Sequence, residues 1–277
     1  MSIGRPAFTR VNRMKPTDDH SIRTAVRGHY ESVVKESEAK KSQVNCCAPS
    51  CCGADEASSK MGYSPEEISS VPQGADLGLG CGNPQAIASL KPGETVLDIG
   101  AGAGFDSFLA ARQVEPSGKV IGVDMTPAML EKARSNAIKA GLNNVEFRLG
   151  EIEHLPVADA SIDVIISNCV INLSPDKPAV FAEAFRVLKS GGRLAISDAV
   201  ALKPVPETLA ESVGAHASCI SGATELGRLE AMLTAAGFSG IQITVNERSR
   251  EFIRDWLPDS GAEEFVASAV IQATKNV

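Results

Sequence analysis

The stretch Thr95-Val-Leu-Asp-Ile-Gly-Ala-Gly-Ala-Gly-Phe105 decides the fold of this chain. The apolar run from Thr95 to Ile99 predicts a strand, and the helical periodicity from Phe105 to Gln113 predicts a helix. The glycines between them predict a tight turn whose backbone N–H groups can approach a ligand closely. The stretch therefore predicts the first strand–turn–helix unit of a parallel α/β sheet.

The same alternation continues toward the C-terminus. Short apolar runs that alternate with helical segments are typical of βαβ units. The predicted strands are 95–99, 119–123, 145–149, 162–167, 193–197, 240–245 and 265–273, and the predicted helices among them are 105–113, 126–140, 174–189 and 224–236. We therefore predict a Rossmann-like α/β fold, with a seven-stranded, mostly parallel sheet and helices on both faces.

The composition of the first 82 residues differs from the rest. A polar helix is predicted over 22–41, and the segment that follows is rich in Gly, Ser and Pro, which is typical of loops. We predict two parts: residues 1–82, an N-terminal helix with a cysteine-rich lid segment, and residues 83–277, the sheet domain. The sheet domain carries a substrate-binding insertion at about residues 199–224.

Composition and charge limit the partners. The net charge of −7 gives no basis for binding nucleic acid or an anionic membrane, both of which favour a basic face. No apolar run approaches the ~18–20 residues of a membrane span, and Met1 to Arg13 lacks the apolar core of a secretory signal. We expect a cytoplasmic protein with no nucleic-acid partner and no membrane partner.

The glycine spacing separates three kinds of nucleotide-binding loop. A Walker A loop requires Gly-Lys-Ser/Thr, which is absent here. The dinucleotide fingerprint G-x-G-x-x-G fails because Phe105 and Ser107 stand where its last glycine belongs. The order from Asp98 to Gly104, acidic-x-G-x-G-x-G, resembles motif I of the class I methyltransferases. That resemblance implies S-adenosylmethionine as the methyl donor and co-substrate.

Further residues stand where such a cofactor would be held. Asp124 ends the second strand, about 20 residues after the last glycine, where an acidic side chain can bind ribose hydroxyls. Met125 follows it, and the turn after the third strand falls where these enzymes hold the other side of the base. The predicted cofactor-binding residues are Asp98, Gly100, Gly102, Gly104, Asp124, Met125, Glu151, Ile152 and Asn168.

Three of the seven cysteines lie near the predicted ligand edge of the sheet. Cys169 follows the fourth strand, Cys219 lies in the insertion, and Cys81 immediately precedes the sheet domain. Because ligands bind beyond the carboxyl ends of the strands in such sheets, these thiols can converge there. Thiolates are soft ligands that select soft metals or metalloids.

The segments Gly80-Cys81-Gly-Asn-Pro84, Ser167-Asn-Cys169-Val-Ile-Asn-Leu-Ser-Pro-Asp-Lys177 and Cys219-Ile-Ser-Gly-Ala223 resemble signature segments of the bacterial arsenite methyltransferases. The likeness runs from about Val26 to the C-terminus. It implies that Cys81, Cys169 and Cys219 hold arsenite, or its thiol conjugates, as trivalent arsenic. The arsenic lone pair then attacks the sulfonium methyl group, without a general base. It implies no structural metal.

The N-terminal cysteines add a redox role by the same resemblance. Ser50-Cys-Cys-Gly53 resembles the N-terminal cysteine segment of that family, so Cys51 or Cys52 is expected to take part in disulfide exchange that returns oxidised arsenic to the trivalent state. Such exchange needs an external thiol reductant such as thioredoxin or glutathione. The second adjacent pair, Cys46 and Cys47, leaves open which N-terminal thiol does this.

Two other functions remain open from the sequence. A methyltransferase of a small organic acceptor, of quinone or sterol type, would not need the three cysteines. A thiol-rich protein that binds metalloid without turnover would not need the cofactor motif.

Overall fold

An eight-stranded sheet forms the centre of this computed structural model, which describes residues 18–43, 53–210 and 219–276. The strands are β1 Thr95–Ile99, β2 Lys119–Asp124, β3 Val145–Leu149, β4 Ile162–Asn168, β5 Leu188–Ala201, β6 Thr224–Glu225, β7 Ser239–Asn246 and β8 Val266–Thr274.

The strand order is β3-β2-β1-β4-β5-β8-β7, and the short β6 pairs with β5 outside this path. Strands β1 to β5 are parallel, whereas β8 runs antiparallel to both β5 and β7. From β1 the chain builds outward on one side through β2 and β3, and then returns to begin the other side with β4. This reversal between β1 and β4 is a topological switch point, where open α/β sheets bind ligands.

Helices cover both faces of the sheet. In the described residues they are α1 Asp19–Gln43, α2 Gly53–Lys60, α3 Pro65–Ser70, α4 Gln85–Ala88, α5 Phe105–Gln113, α6 Pro127–Ala140, α7 Lys177–Val187, α8 Glu207–Ala210, α9 Leu226–Ala235 and α10 Arg250–Trp256. Since side chains alternate along a strand, Leu97 and Val96 of β1 point to opposite faces. Leu97 packs in a cluster with Phe181 of α7 and Leu229 of α9. Val96 packs in another with Ala110 of α5.

The predicted Rossmann-like architecture is confirmed, and β1, β3 and α5 have the predicted bounds. The predicted helix 174–189 is shorter because the Asp176 side chain caps it, accepting a hydrogen bond from the Ala179 N–H at 3.1 Å. The prediction of a helix from residue 224 was wrong at its start. Thr224 pairs with Val200 and thereby forms β6. This pairing also extends β5 into the first residues of the predicted insertion.

Helix α1 is polar, yet it packs on the sheet domain. It contacts α6, and its Val26 is buried within the same hydrophobic cluster as Cys81, Cys169 and Cys219. The described residues include no helix that is both long enough and apolar enough to cross a membrane.

Gly122 in β2 provides a test of the packing between the sheet and its helices. A Cβ atom at Gly122 would lie 2.6 Å from a ring carbon of Phe147 and 2.8 Å from Cβ of Ala101. We expect Gly122→Ala to lower the free energy of unfolding by ~1–3 kcal/mol, as overpacking does. Urea denaturation followed by circular dichroism measures this. Gly227→Ala, in an exposed helix position with no atom within 4 Å, is the control and should be neutral or stabilising. Equal free energies of unfolding for Gly122→Ala and Gly227→Ala would contradict the close packing described around Gly122.

Candidate functional site

A cavity of about 400 Å³ opens at the carboxyl ends of β1, β2 and β4, at the switch point of the sheet. Helix α1, the segment 75–80 and Trp256 of α10 form its other walls. Most of the predicted cofactor-binding residues line it: Asp98, Gly100, Gly102, Asp124, Met125, Ile152 and Asn168. Its volume is within the range of small-molecule sites, roughly 300–1,000 Å³.

The glycine turn after β1 has the backbone conformation that its sequence predicts. Gly100 has a φ of 77°, and a Cβ there would lie 2.3 Å from the Val170 side chain. Gly102 has a φ of 52° and faces open space, while its N–H donates to Oδ2 of Asp124 at 3.0 Å. The turn is thus held against the end of β2, with its middle glycine open to a ligand.

Two predicted cofactor residues lie outside the cavity lining. Gly104 begins α5, and a Cβ there would lie 2.7 Å from the Phe108 ring, so it permits close packing of the turn. Glu151 forms ion pairs with Arg23 and Arg27 of α1, at 3.6 and 3.5 Å. Its position ties α1 to the turn after β3.

The part of the cavity next to the glycine turn is acidic. Asp98 accepts a hydrogen bond from Ser107 Oγ at 2.6 Å, and burial together with the Asp106 carboxyl raises the pKa of Asp98. Burial also raises the pKa of Asp106 to about 6 and raises the pKa of Asp124, against the N–H groups that donate to it. Two buried carboxyl groups and the half-buried Asp124 favour a ligand that carries positive charge, as a sulfonium cofactor does.

Asn168, at the end of β4, fastens the segment that carries Cys81. Its Oδ1 accepts from the Cys81 N–H at 2.9 Å, and its Nδ2 donates to the Gly82 carbonyl at 2.8 Å and to Tyr63 Oη at 3.0 Å. Tyr63 in turn donates to Asp106 at 2.7 Å. The sequence predicted Asn168 as a cofactor residue, and the structure places it between the cavity and the cysteine segment.

The three predicted arsenic-binding cysteines lie together at the other side of the cavity. Cys81, Cys169 and Cys219 are buried and free of disulfides. Cys219 Sγ donates to the Cys169 carbonyl at 3.0 Å. Cys169 and Cys219 have φ angles of 59° and 61°, in the left-handed region that non-glycine residues enter at a cost of roughly 1–3 kcal/mol. Such strain concentrates at functional sites.

Hydrogen bonds and burial keep these thiols protonated. The hydrogen bonds that the Cys169 thiol donates to Cys219 and Cys81, followed by burial, raise the pKa of Cys169 well above its usual range. Burial raises the pKa of Cys81. For Cys219, the hydrogen bond with Cys169 opposes the rise, but burial and the Asp198 charge prevail and the pKa is raised. A metal or metalloid that binds here must therefore displace protons.

Asp198 completes the thiol cluster and was not predicted. Ligand atoms of Cys81, Cys169 and Asp198 all lie within 4.8 Å of one another, and Cys219 is not part of that compact group. Burial raises the pKa of Asp198 to about 6. The positive charge of Lys177 acts against this rise and favours the ionised form of Asp198. Burial in turn lowers the pKa of Lys177. In the sequence, the feature that could have indicated Asp198 is its place as the last polar residue of a long apolar strand.

Helix α1 contributes cavity residues that sequence patterns gave no reason to choose. Tyr30 lines the cavity, and burial followed by the Cys219 and Cys169 thiols raises its pKa well above the usual range. Arg23 pairs with Glu153 at 3.1 Å across the cavity wall. Because α1 is polar and distant from the sheet in the sequence, a single sequence does not indicate which of its residues face the cavity.

The four N-terminal cysteines, Cys46, Cys47, Cys51 and Cys52, lie outside the described residues. Their proposed redox role therefore stays a prediction.

Comparison with known proteins relates this chain to methyltransferases. Residues 90–237 match the family model "Methyltransferase domain". The arsenite methyltransferase of Halobacterium salinarum is 47% identical over 93% of this chain and 68% of its own length. That of Aquipseudomonas alcaligenes is 37% identical over 78% of this chain and 61% of its own length. The crystal structure of an arsenic(III) S-adenosylmethionine methyltransferase from Chlamydomonas reinhardtii matches with a TM-score of 0.59 at 32% identity, over 80% of this chain and 73% of that one.

Removal of the Asn168 amide should release the Cys81 segment. Asn168→Ala removes the acceptor of the Cys81 N–H and two donated hydrogen bonds, so Cys81 should react with N-ethylmaleimide at least ~10-fold faster, since each net hydrogen bond is worth about 1 kcal/mol. Peptide mass spectrometry over a time course measures the rate at Cys81. The control is Asn83→Ala, because Asn83 bonds Gly62 and Ala86 but not Cys81. An unchanged rate in Asn168→Ala would contradict the role of Asn168 in holding the Cys81 segment.

Proposed function

Since this chain belongs to the arsenite methyltransferase family and has the class I S-adenosylmethionine-dependent fold, we propose that it transfers the methyl group of S-adenosylmethionine to trivalent arsenic. The observation that carries the proposal is the convergence of Cys81, Cys169 and Cys219 beside the acidic cavity. The first two stand 88 residues apart in the sequence, and separate segments thus bring soft ligands to the place where the methyl donor would bind.

The residues of the cavity fit the cofactor. The Gly102 turn would approach it through backbone N–H groups, and Asp124 would bind its ribose hydroxyls. Met125 and Ile152 would cover the base, and the acidic surroundings of Asp98 suit its positive charge. When bound, S-adenosylmethionine supplies an electrophilic methyl group, whose C–S bond breaks as the arsenic lone pair forms the As–C bond.

The three thiols would act as ligands of the substrate. Arsenite, As(OH)₃, exchanges three hydroxides for three thiolates, and the three thiol protons leave with the hydroxides as water. Pyramidal coordination leaves the arsenic lone pair free as the nucleophile, so no general base is needed. The buried cluster fixes its position, and alignment of this kind can contribute up to about 7–11 kcal/mol to catalysis.

Methyl transfer takes arsenic formally from the trivalent to the pentavalent state, so two electrons must return to it. We propose that Cys51 or Cys52 attacks the sulfur of an arsenic-bound cysteine as a thiolate. The two sulfurs form a disulfide as the As–S bond breaks, and the electron pair of that bond stays on arsenic and returns it to the trivalent state. A thiol reductant such as thioredoxin or glutathione then restores the dithiol.

A cytoplasmic location is part of the proposal. The described cysteines are free thiols, and thiols stay reduced in the cytoplasm.

The direct test is incubation of the protein with arsenite, S-adenosylmethionine and a thiol reductant, followed by chromatography of the arsenic species with element-specific detection. We expect methylated arsenic from the parent protein. Cys169→Ser should lower the rate by at least ~100-fold, because loss of one of three ligands prevents tight binding. The variant must retain its circular dichroism spectrum and its binding of S-adenosylhomocysteine. Bound but unmethylated arsenic would indicate a binding protein, and the absence of both binding and product would point to an organic acceptor.

The redox role is tested by separating one turnover from many. Cys51→Ser combined with Cys52→Ser should leave the first methylation largely intact and slow multiple turnover by at least ~10-fold, because reduced arsenic is not regenerated. Quenched-flow measurement with enzyme in excess, and then with arsenite in excess, separates the two. Cys46→Ser combined with Cys47→Ser is the matched control. Full multiple turnover in the first variant, with loss in the second, would assign the exchange to Cys46 or Cys47.

A further inference from the structure

The thiol cluster contains a ligand that arsenic does not need. The compact group, with all ligand atoms within 4.8 Å of one another, consists of Cys81, Cys169 and the carboxylate of Asp198. Cys219 lies beside it, with its thiol against the Cys169 carbonyl. The protein therefore presents three sulfurs and one oxygen, one ligand more than pyramidal arsenic uses.

Three sulfurs and one oxygen match the needs of a divalent thiophilic cation. Zn²⁺ is almost always four-coordinate and tetrahedral in closed protein sites, and it binds thiolate and carboxylate ligands. With Zn–S and Zn–O bonds of about 2.3 and 2.0 Å, neighbouring ligand atoms stand about 3.5–3.8 Å apart. Cys81, Cys169 and Asp198 therefore need only small side-chain movements to reach this spacing, whereas Cys219, which lies outside the 4.8 Å group, must turn its thiol from the Cys169 carbonyl to join them.

The carboxylate of Asp198 is held ready for such a role. Its Oδ1 accepts from Asn172 Nδ2 at 2.8 Å and from the Ala199 N–H at 2.7 Å, and its Oδ2 accepts from the Ile171 N–H at 2.9 Å. Since each carboxylate oxygen has two lone-pair sites, an oxygen that accepts one such bond can also bind a metal ion. The same bonds fix the orientation of the carboxylate, as polar neighbours of metal ligands commonly do.

We propose that Cys81, Cys169, Asp198 and Cys219 form a Zn²⁺-binding site that competes with arsenite. Binding releases the three thiol protons and transfers no electrons. The bound ion is a dead end for catalysis, because Zn²⁺ has no lone pair with which to attack a methyl group. Asp198 thus discriminates between the two occupants: Zn²⁺ requires it as a fourth ligand, and trivalent arsenic does not. The Zn²⁺ binding stands on the geometry alone, whereas the competition rests on the proposed function.

The net charge of the occupied site is partly compensated. Three thiolates and one carboxylate around Zn²⁺ carry a net charge of −2, which is costly to bury without a nearby cation. Lys177, which is half-buried, interacts electrostatically with both Asp198 and Cys219. An arsenic tris-thiolate is neutral and needs no compensating cation; only the charge of Asp198 itself would then remain beside Lys177.

The test uses Co²⁺ as a spectroscopic substitute for Zn²⁺, with a phosphine reductant because a dithiol would chelate the metal. The N-terminal thiols are removed from the full-length chain by the substitutions C46S, C47S, C51S and C52S. We expect one equivalent of Co²⁺ to give near-ultraviolet thiolate charge-transfer bands and the visible bands of tetrahedral Co²⁺. Zn²⁺ should bleach both, and arsenite should displace the Co²⁺.

Asp198→Asn in this background should weaken Co²⁺ and Zn²⁺ binding by at least ~10-fold and arsenite binding much less. Asp163→Asn is the charge-matched control, since Asp163 lies near the opposite end of β4 and pairs with Lys189. Equal loss of metal affinity in both variants, or none in Asp198→Asn, would overturn the proposal.

If Asp198→Asn fails to fold, X-ray absorption of the Zn²⁺-loaded background protein decides. Three sulfurs at about 2.3 Å and one oxygen at about 2.0 Å are expected, and a shell without sulfur would overturn the site. Zn²⁺ binding by a protein that does not methylate arsenite would refute only the proposed function. Methylation by a protein that binds no Zn²⁺ would refute only this inference.

Discussion

The hydrogen bonds of one half-buried side-chain amide hold the candidate site together. Asn168 stands at the end of β4, where it binds the backbone on both sides of the peptide between Cys81 and Gly82. A segment that precedes the whole sheet is thereby fixed against the middle of it. Because Asn168 also contacts the Asp106 carboxyl at 3.3 Å, the thiol cluster and the acidic half of the cavity share one anchor. In the proposed function, the relative placement of methyl donor and acceptor depends on that anchor.

The two halves of the cavity differ in the charge that they favour. Around Asp98 and Asp124 the carboxyls suit a cation, whereas the protonated thiols of Cys81 and Cys169 present a neutral, polarisable surface until they meet a soft ion. Water competes poorly for such a surface. This chemistry favours the binding of soft, thiophilic species. In our proposals, a species held by the three thiols alone keeps a lone pair and can react, whereas an ion that also takes the fourth ligand cannot.

The sequence predicted the sheet well because β1, β2 and β4 are near-continuous apolar runs with glycine or polar punctuation, and parallel buried strands need that pattern. It predicted that Cys169 lies at the ligand edge because Cys169 stands at a strand end, while the arsenic-binding role of the three thiols stays a prediction. Asp198 was missed although it is the last polar residue of an apolar strand, because the extension of β5 past it depends on a two-residue pairing with β6 that has no local signal. It also could not place Tyr30, because α1 is polar and its register against the sheet is set by tertiary contacts alone.

The separation of the three thiols along the chain bears on biosynthesis. Cys81 precedes every strand, Cys169 follows β4 and Cys219 follows β5, whereas β7 and β8 come later in the chain. All three cysteines therefore leave the ribosome before the sheet is complete. An ion that bridged these sulfurs at that stage would trap the newly made chain in a misfolded form, so metalloid stress would act on the folding of this protein as well as on the folded protein.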